Sequence, residues 1–413
     1  MNILVIGLNY APEPVGIGPF TTGLAEWLAS AGHEVRVIAA RPYYPDWRPA
    51  PGSARLWRST SEGGVRITRC PHYIPARAGA MGRVLHHASF AAAALPVALW
   101  AARRRPDLVI AIAPSLLSVP VARLAARLAG ARLWVHVQDL EVEAALALGL
   151  LRPASLGARI ALWCERRILR SAQRVSSISP QMIARLQAKG VAAERLTELR
   201  NWADAAVTAL APVEAADYRA RWGLEGRTIA LYSGNIASKQ GLETVIEAAR
   251  LLERRRDIAI LICGQGPRRA ALQALAGMAG NVQFHDLQPR EALGRFLALA
   301  DMHLLPQRAG VADLVLPSKL GNMLASGRPV IAMAAAGTGL AAEVEGCGLA
   351  IAPDDARALA DAIVALADDP ARRAALGQAG AERAAQRWDI DSSVASSRIG
   401  VDPFGADRAA GQT

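Results

Sequence analysis

The sequence predicts an α/β protein made of two successive doubly wound parallel sheets. Three observations carry this. Short apolar runs alternate with helical stretches along most of the chain. Several runs, such as 108–113 (Leu-Val-Ile-Ala-Ile-Ala), are apolar without interruption, as strands are when helices cover both faces of a sheet. The pattern then starts afresh near residue 228, and two such series mean two domains.

In the first series, strands are expected at 2–7, 35–40, 65–69, 108–113, 132–137 and 174–178, and helices at 20–31, 115–129, 155–171 and 180–189. The break is expected at 203–226, an Ala- and Pro-containing stretch, so the domains read as 1–205 and 206–390. The second series gives strands at 228–233, 258–263, 281–284, 302–305 and 329–333, alternating with helices at 241–255, 267–279, 289–299 and 319–326. A last helix at 370–388 is expected to cross back to the first domain. Residues 391–413 are rich in Ser, Gly and Asp without periodicity and read as a flexible tail.

The 413 residues are 52% hydrophobic and 20% charged, the balance of a folded chain with a sizeable core. Lys and Arg (47) outnumber Asp and Glu (36), giving a net charge of +11, which suits acidic partners. Nucleic acid is disfavoured, because the basic residues are dispersed and lack interleaved aromatics. The four cysteines, Cys70, Cys164, Cys263 and Cys347, form no C-x-x-C pair, so neither zinc nor a disulfide framework is suggested and a reducing cytoplasm fits. The opening Met-Asn-Ile-Leu-Val-Ile-Gly reads as a first strand and not as a signal peptide. Residues 84–102 support two readings. One is a helix lying in an anionic membrane face, with Arg83 and Arg103 to Arg105 at its ends; the other is a helix buried against the first sheet.

Residues 317–330 (Pro-Ser-Lys-Leu-Gly-Asn-Met-Leu-Ala-Ser-Gly-Arg-Pro-Val) read as turn, short helix, glycine stop and buried strand. Ser318 is expected as N-cap, and Lys319 sets a cation beside a helix start that favours anions. Ligands of open α/β sheets bind at the carboxyl ends of strands, so the loops there are the next place to look. After the first strand, Gly16 and Gly18 remove side chains before a helix, so backbone N–H groups can approach a ligand. Thr21 stands where a dinucleotide fingerprint has its third glycine, so that fingerprint is absent. After strand 132–137 comes Asp139, able to accept from a hydroxyl or act as a base toward one. His136 and His33 read as structural residues. The second domain opens on Gly234, Asn235, Lys239 and Gln240, with donors at a helix start suited to phosphate. Gly264 and Gly266 follow the next strand and suit a flat base or a ribose. Arg308 and Asp313 precede Pro317 and can reach a sugar.

In this order and spacing, these motifs resemble the GT-B glycosyltransferases of the large retaining family 4, close to the colanic-acid-type biosynthesis subgroup. The resemblance covers about residues 1–390. It rests on Asn9-Tyr10-Ala11-Pro12-Glu13 with Gly16, Gly32-His33-Glu34-Val35, Ser233-Gly234-Asn235-Ile236 with Gln240-Gly241-Leu242, Gly264-Gln265-Gly266-Pro267, and Pro317-Ser318-Lys319-Leu320 with Asn322 to Gly327. It implies two Rossmann-like domains facing across a cleft, with a nucleotide-sugar donor held by the second and the acceptor by the first. No bound metal or other cofactor is implied, because basic groups and backbone amides stabilise the leaving diphosphate. Gly16 would lie near the reacting groups, Lys239 or Gln240 with Ser318 and Lys319 would hold the diphosphate, Leu320 beside them would contact the substrate, and Asn322 would face the ribose. The chain departs from the wider family at two glutamate positions, here Leu314 and Asn322, with Asp313 the candidate replacement. The usual arginine is Asn235, and the usual lysine is Gln240 with Lys239 one position earlier.

The expected function is retaining transfer of a sugar from a nucleotide diphosphate sugar to a saccharide or lipid-linked saccharide in exopolysaccharide assembly, in the cytoplasm or at the inner membrane face. A nucleotide-sugar 2-epimerase of the same architecture and a non-catalytic subunit of a polysaccharide assembly complex are the rival readings.

Overall fold

The computed structural model describes all residues except 15, 54–55, 77–78, 148–150, 153–154, 208–214, 310–315, 398 and 400–413. The described residues divide into two compact units: Met1–Arg200 with those from Val394 on, and Asn201–Ser393.

The first unit runs β1 (Asn2–Gly7), α1 (Gly18–Ser30), β2 (Glu34–Ala40), β3 (Arg58–Glu62), β4 (Val65–Cys70), α2 (Ala80–Ala102), β5 (Leu108–Ala113), α3 (Val119–Ala129), β6 (Arg132–Val137), α4 (Glu141–Ala147), α5 (Leu156–Leu169), β7 (Arg174–Ser177), α6 (Pro180–Ala188) and β8 (Leu196–Glu198). Its sheet has the order β3-β4-β2-β1-β5-β6-β7-β8. Every pairing is parallel except β3 with β4. Strand order reverses between β1 and β5, so the loops after those strands open a crevice at the carboxyl edge. β5 is buried along its whole length, which explains its uninterrupted apolar sequence.

The second unit runs α7 (Ala216–Trp222), β9 (Thr228–Ser233), α8 (Leu242–Leu251), β10 (Ile258–Cys263), α9 (Arg269–Ala276), β11 (Val282–His285), α10 (Leu293–Ala298), β12 (Met302–Leu305), α11 (Leu320–Ala325), β13 (Val330–Met333), α12 (Gly339–Val344), β14 (Gly348–Ile351), α13 (Ala356–Asp368) and α14 (Pro370–Arg387). A final helix, α15 (Ile390–Ser397), follows. All six strands are parallel, in the order β11-β10-β9-β12-β13-β14, with the reversal between β9 and β12.

Local chemistry explains many boundaries. Ser155, Ser179, Thr338, Asp355 and Asp369 each accept a hydrogen bond from the backbone N–H three residues on, and so cap α5, α6, α12, α13 and α14. Pro180 and Pro370 occupy first helical positions, where the missing N–H costs nothing.

Several expectations change. The unit boundary falls at Arg200, because Ala203 donates to the carbonyl of Trp388 and Asp204 donates to Asn322, both contacts inside the second unit. The helix at 370–388 does not cross back. α14 packs on α11 within the second unit, and the described residues from Val394 on belong to the first. The supposed tail is helical over Ile390–Ser397, with Val394 and Ile399 buried. Elements β3, β8, β14, α4, α7, α12 and α13 lie outside the expected series.

α2 resolves the two readings of 84–102 into a two-faced helix. Phe90, Ala94, Ala98 and Ala101 are buried at helical spacing, while Met81, Val84, Leu85 and Trp100 are exposed. It is also the one described helix long and apolar enough to cross a membrane. Three of the four free cysteines, Cys70, Cys263 and Cys347, are buried; Cys164 on α5 is half-buried.

Candidate functional site

In the first unit, the site is built on the loop after β1. Gly16 has φ +76°, and a Cβ there would stand 3.1 Å from the Tyr44 ring. Glycine is therefore required by both the backbone and the neighbour. Beneath it, the buried carboxylate of Glu13 accepts from the N–H groups of Tyr43 and Tyr44 (3.1 Å each) and from Asn9 Nδ2 (2.8 Å). Burial raises the Glu13 pKa even though these bonds favour the ionised form. Gly18 lies against the same glutamate. It is buried, with its missing Cβ 3.0 Å from Glu13 Cβ, so the glycine makes room for the glutamate.

Asp139 follows β6. The β6 network behind it is closed: Gln138 Nε2 meets His136 Nε2 at 3.0 Å, His136 Nδ1 meets Ser176 Oγ at 2.8 Å, and Trp134 Nε1 donates to the same hydroxyl at 2.7 Å. An amide nitrogen only donates, so the bond assigns the His136 proton to Nδ1. Burial pushes the pKa of His136 down to about 3, keeping it neutral. His136 is structural, as expected.

A row of side chains missed by the sequence reading joins the Gly16 and Asp139 loops. Tyr43, held over Glu13, packs edge-on against His86 (centroids 4.6 Å apart); His86 meets His87 at 5.3 Å; and His87 Nε2 lies 3.3 Å from Glu141 Oε1. Burial, and then the charge of Asp139, push Glu141 up to about 8. Burial, then His86 and Arg83, push His87 down to about 4. Both shifts disfavour the charged forms, so the approach of His87 to Glu141 is not held as an ion pair. The sequence carries no spacing that links 13, 43, 86 and 141; only the fold does.

In the second unit, two glycine-bearing loops interlock at the carboxyl ends of β9 and β10. Gly234 N–H donates to the Cys263 carbonyl (2.9 Å), Ile236 N–H to Gln265 (2.8 Å), and Arg268 N–H to Ile236 (3.2 Å). A Cβ on Gly264 would sit 1.9 Å from the Gly234 carbonyl oxygen, and one on Gly266 would sit 2.2 Å from that of Ile236. Asn235 is exposed; its carbonyl accepts from the Tyr232 hydroxyl (2.6 Å), and its side chain stands beside Gly266. Lys319 reaches this junction from the turn before α11. Its Nζ lies 3.4 Å from the Ser233 carbonyl oxygen and 4.0 Å from the Tyr232 ring centroid. Nearby, Glu243 bridges Arg268 (2.7 Å) and Arg308 (3.1 Å). Partial burial opposes ionisation of Glu243, but bonds from Arg268, the backbone and Arg308 outweigh it and hold the carboxyl below its usual range. Gln240 ends a single 3-10 turn (Ser238–Gln240), and its Oε1 is buried with no hydrogen-bond partner.

The remaining expected residues need correction or fall outside the description. Ser318 does not cap α11. Leu320 N–H bonds the Pro317 carbonyl (3.0 Å), so the helix is entered through a turn and the Ser318 side chain is exposed. Leu320 is a core residue, fully buried with Leu316, Met323, Leu324 and Trp388. Asn322 Oδ1 accepts the Asp204 N–H at 2.7 Å, which ties the start of the second unit to α11. Asp313 and Leu314 lie outside the described residues, as does the side chain of Lys239. Among the described residues, no group of three or more His, Cys, Asp or Glu side chains is placed to hold a metal ion.

Residues 15–202 match the family described as glycosyl transferase 4-like domain, and residues 215–383 match glycosyl transferases group 1. The chain is 41% identical, over 87% of its length and 90% of the relative's, to the WcaI protein of Escherichia coli (strain K12), whose name assigns it as a glycosyl transferase of colanic acid biosynthesis. The chain belongs to the GT-B glycosyltransferases. Two solved structures share the fold. They are sucrose-phosphate synthase from Thermosynechococcus elongatus (TM-score 0.72, 20% identity, 98% of this chain and 100% of that one) and Anabaena HepE in complex with UDP (TM-score 0.67, 16% identity, 100% of each). As a glycosyltransferase, the chain is read as a sugar-transfer enzyme, ahead of the epimerase and the non-catalytic subunit.

Proposed function

We propose that this glycosyltransferase moves a sugar, with retention, from a nucleotide diphosphate sugar to a saccharide or lipid-linked saccharide in colanic-acid-like exopolysaccharide assembly, on the cytoplasmic side of the membrane. The observation that carries the donor half is the placement of Lys319 against the interlocked Gly234 and Gly264 loops, at the strand-order reversal of the second sheet. Lys319, Arg268 and Arg308 supply the positive charge that a departing diphosphate needs, and in this reading they do so without a divalent ion. The bond from the anomeric carbon to the diphosphate oxygen breaks, the acceptor oxygen bonds the same face, and the acceptor proton passes to the diphosphate. The resemblance to HepE, solved with UDP, and to WcaI supports the donor class and the pathway class.

Incubation with UDP-, GDP- and dTDP-sugars and candidate acceptors is expected to release the matching nucleoside diphosphate. Lys319→Met is expected to lower kcat by about a hundredfold, the usual cost of losing one group that stabilises developing charge. Absence of turnover and of nucleotide binding across the panel overturns the reading. Inversion at C2 without acceptor replaces it with epimerisation.

Peripheral contact with an anionic membrane through 84–105 is the second part of the proposal. The exposed Val84, Leu85 and Trp100 of α2, followed by the exposed Arg103 to Arg105, support it. α5 has the same character. Leu156, Ile160 and Trp163 are exposed at helical spacing between Arg159, Arg166 and Arg167, while its one acid, Glu165, is buried. The protein is expected to float with phosphatidylglycerol vesicles and not with phosphatidylcholine, and Leu85→Ser with Ile160→Ser is expected to abolish flotation. Wild type that stays at the bottom of the gradient with both vesicles removes this part.

A further inference from the structure

At the opposite edge of the first sheet, where its parallel strands begin, β2 and β4 set Arg36 and Arg66 side by side in register. Neighbouring strands lie about 4.8 Å apart, so two guanidinium groups share one patch of sheet, an arrangement that is unfavourable without an anion. Ser59, Ser61 and Thr68 add hydroxyls on the same patch, and Trp100 of α2 closes it, leaving a cavity of about 370 Å³. Arg36 and Trp100 also line an adjoining cavity of about 440 Å³, with Glu34, Arg103 and Arg104. The Arg104 guanidinium lies 5.0 Å from the Trp100 ring centroid.

Arg36 is 9% exposed, yet only its Nη2 is engaged, by Glu34; Nε and Nη1 are buried with no hydrogen-bond partner. Glu34 itself is largely exposed and can be displaced. Unmade bonds of a buried charged donor are among the costlier defects a fold can carry. Four arginines face one carboxylate here, with three hydroxyls beside them. That donor set exceeds what a carboxylate accepts and matches the oxygens of a phosphate.

We propose that this cavity is a phosphate-binding site, separate from the donor loops, in which a phosphate group takes the place of Glu34 on Arg36 and bridges to Arg66. The phosphate belongs either to a small phosphorylated solute or to a lipid headgroup. The size of the cavity admits a phosphate with part of its substituent.

Calorimetric titration of the full chain, in the presence of UDP, with inorganic phosphate, glucose 6-phosphate and phosphatidylglycerol vesicles distinguishes the sources, with acetate as the carboxylate control. Saturable binding of at least one phosphate species is expected, weakened about tenfold or more by Arg36→Met and by Arg66→Ser, as loss of a charge-assisted bond requires. Arg66 is exposed on its strand, so Arg66→Ser keeps the test valid should Arg36→Met fail to fold. Binding of vesicles alone, weakened by Arg66→Ser, assigns a lipid headgroup, and binding of the soluble species assigns a free phosphate. The proposal is overturned if no phosphate species binds, if acetate binds equally well, or if Arg66→Ser binds as wild type does.

Discussion

Gly264→Ala is expected to remove sugar transfer and to destabilise the second unit. The new methyl carbon would stand 1.9 Å from the Gly234 carbonyl oxygen and 3.0 Å from its carbonyl carbon, so rigid backbone must part. Three hydrogen bonds hold the two loops in that position, and they are strained together when the loops separate. Overpacking of this kind costs roughly 1–3 kcal/mol. The loss of activity should exceed the loss of stability, because a shift of about 1 Å in a positioning loop can cost a hundredfold in rate. Gly280→Ala is the control, since nothing lies within 4 Å of a Cβ at that position. Urea denaturation and nucleoside diphosphate release are measured on both variants. Wild-type kinetics in Gly264→Ala would show that the loop junction does not shape the donor site.

Lys189→Met is expected to destabilise the first unit by about 3–5 kcal/mol, the cost of stripping a buried charge of its partner. Lys189 Nζ contacts Glu165, whose side chain is fully buried, and Glu143 at 2.8 Å. It thereby ties the end of α6 to α4 and α5. Burial raises the Glu165 pKa and Lys189 holds it back, so removal of the lysine raises it further. A carboxyl whose pKa is higher in the folded chain than in the unfolded one binds more protons when folded, and stability falls as pH rises through that window. The deficit of Lys189→Met should therefore be largest above neutrality and shrink on acidification toward pH 5. Urea titrations at both ends of that range check it. A deficit independent of pH would mean that the lysine acts through packing alone.

The sequence made the repeated layer pattern readable because buried parallel strands must be apolar throughout, as in β5 and β10. β3 escaped notice because Arg58–Glu62 is polar and pairs only at the sheet margin. α13 escaped because its boundary signal, the Asp355 cap, lies beyond the last expected strand. In the loops, the need for glycine at 16 and 264 was legible, because both positions lie between a strand end and a helix start, where the structure finds a close neighbour in place of a Cβ. Ser318 and Leu320 were misjudged because a capping turn and a core position look alike until the N–H of Leu320 is seen on the Pro317 carbonyl. The row from Glu13 through Tyr43, His86 and His87 to Glu141 was invisible because it is assembled from four separate segments.

The uneven burial of the four thiols has a practical consequence. Burial raises the pKa of Cys70 and Cys263 to about 12 and that of Cys347 as well, which keeps them unreactive in the native state. Cys164, half-buried on α5 beside the exposed Trp163, is left as the natural attachment point for a maleimide fluorophore. The native protein thus carries its own reporter position on the helix whose outward face resembles an interfacial one, and no engineered cysteine is needed to watch that face change environment.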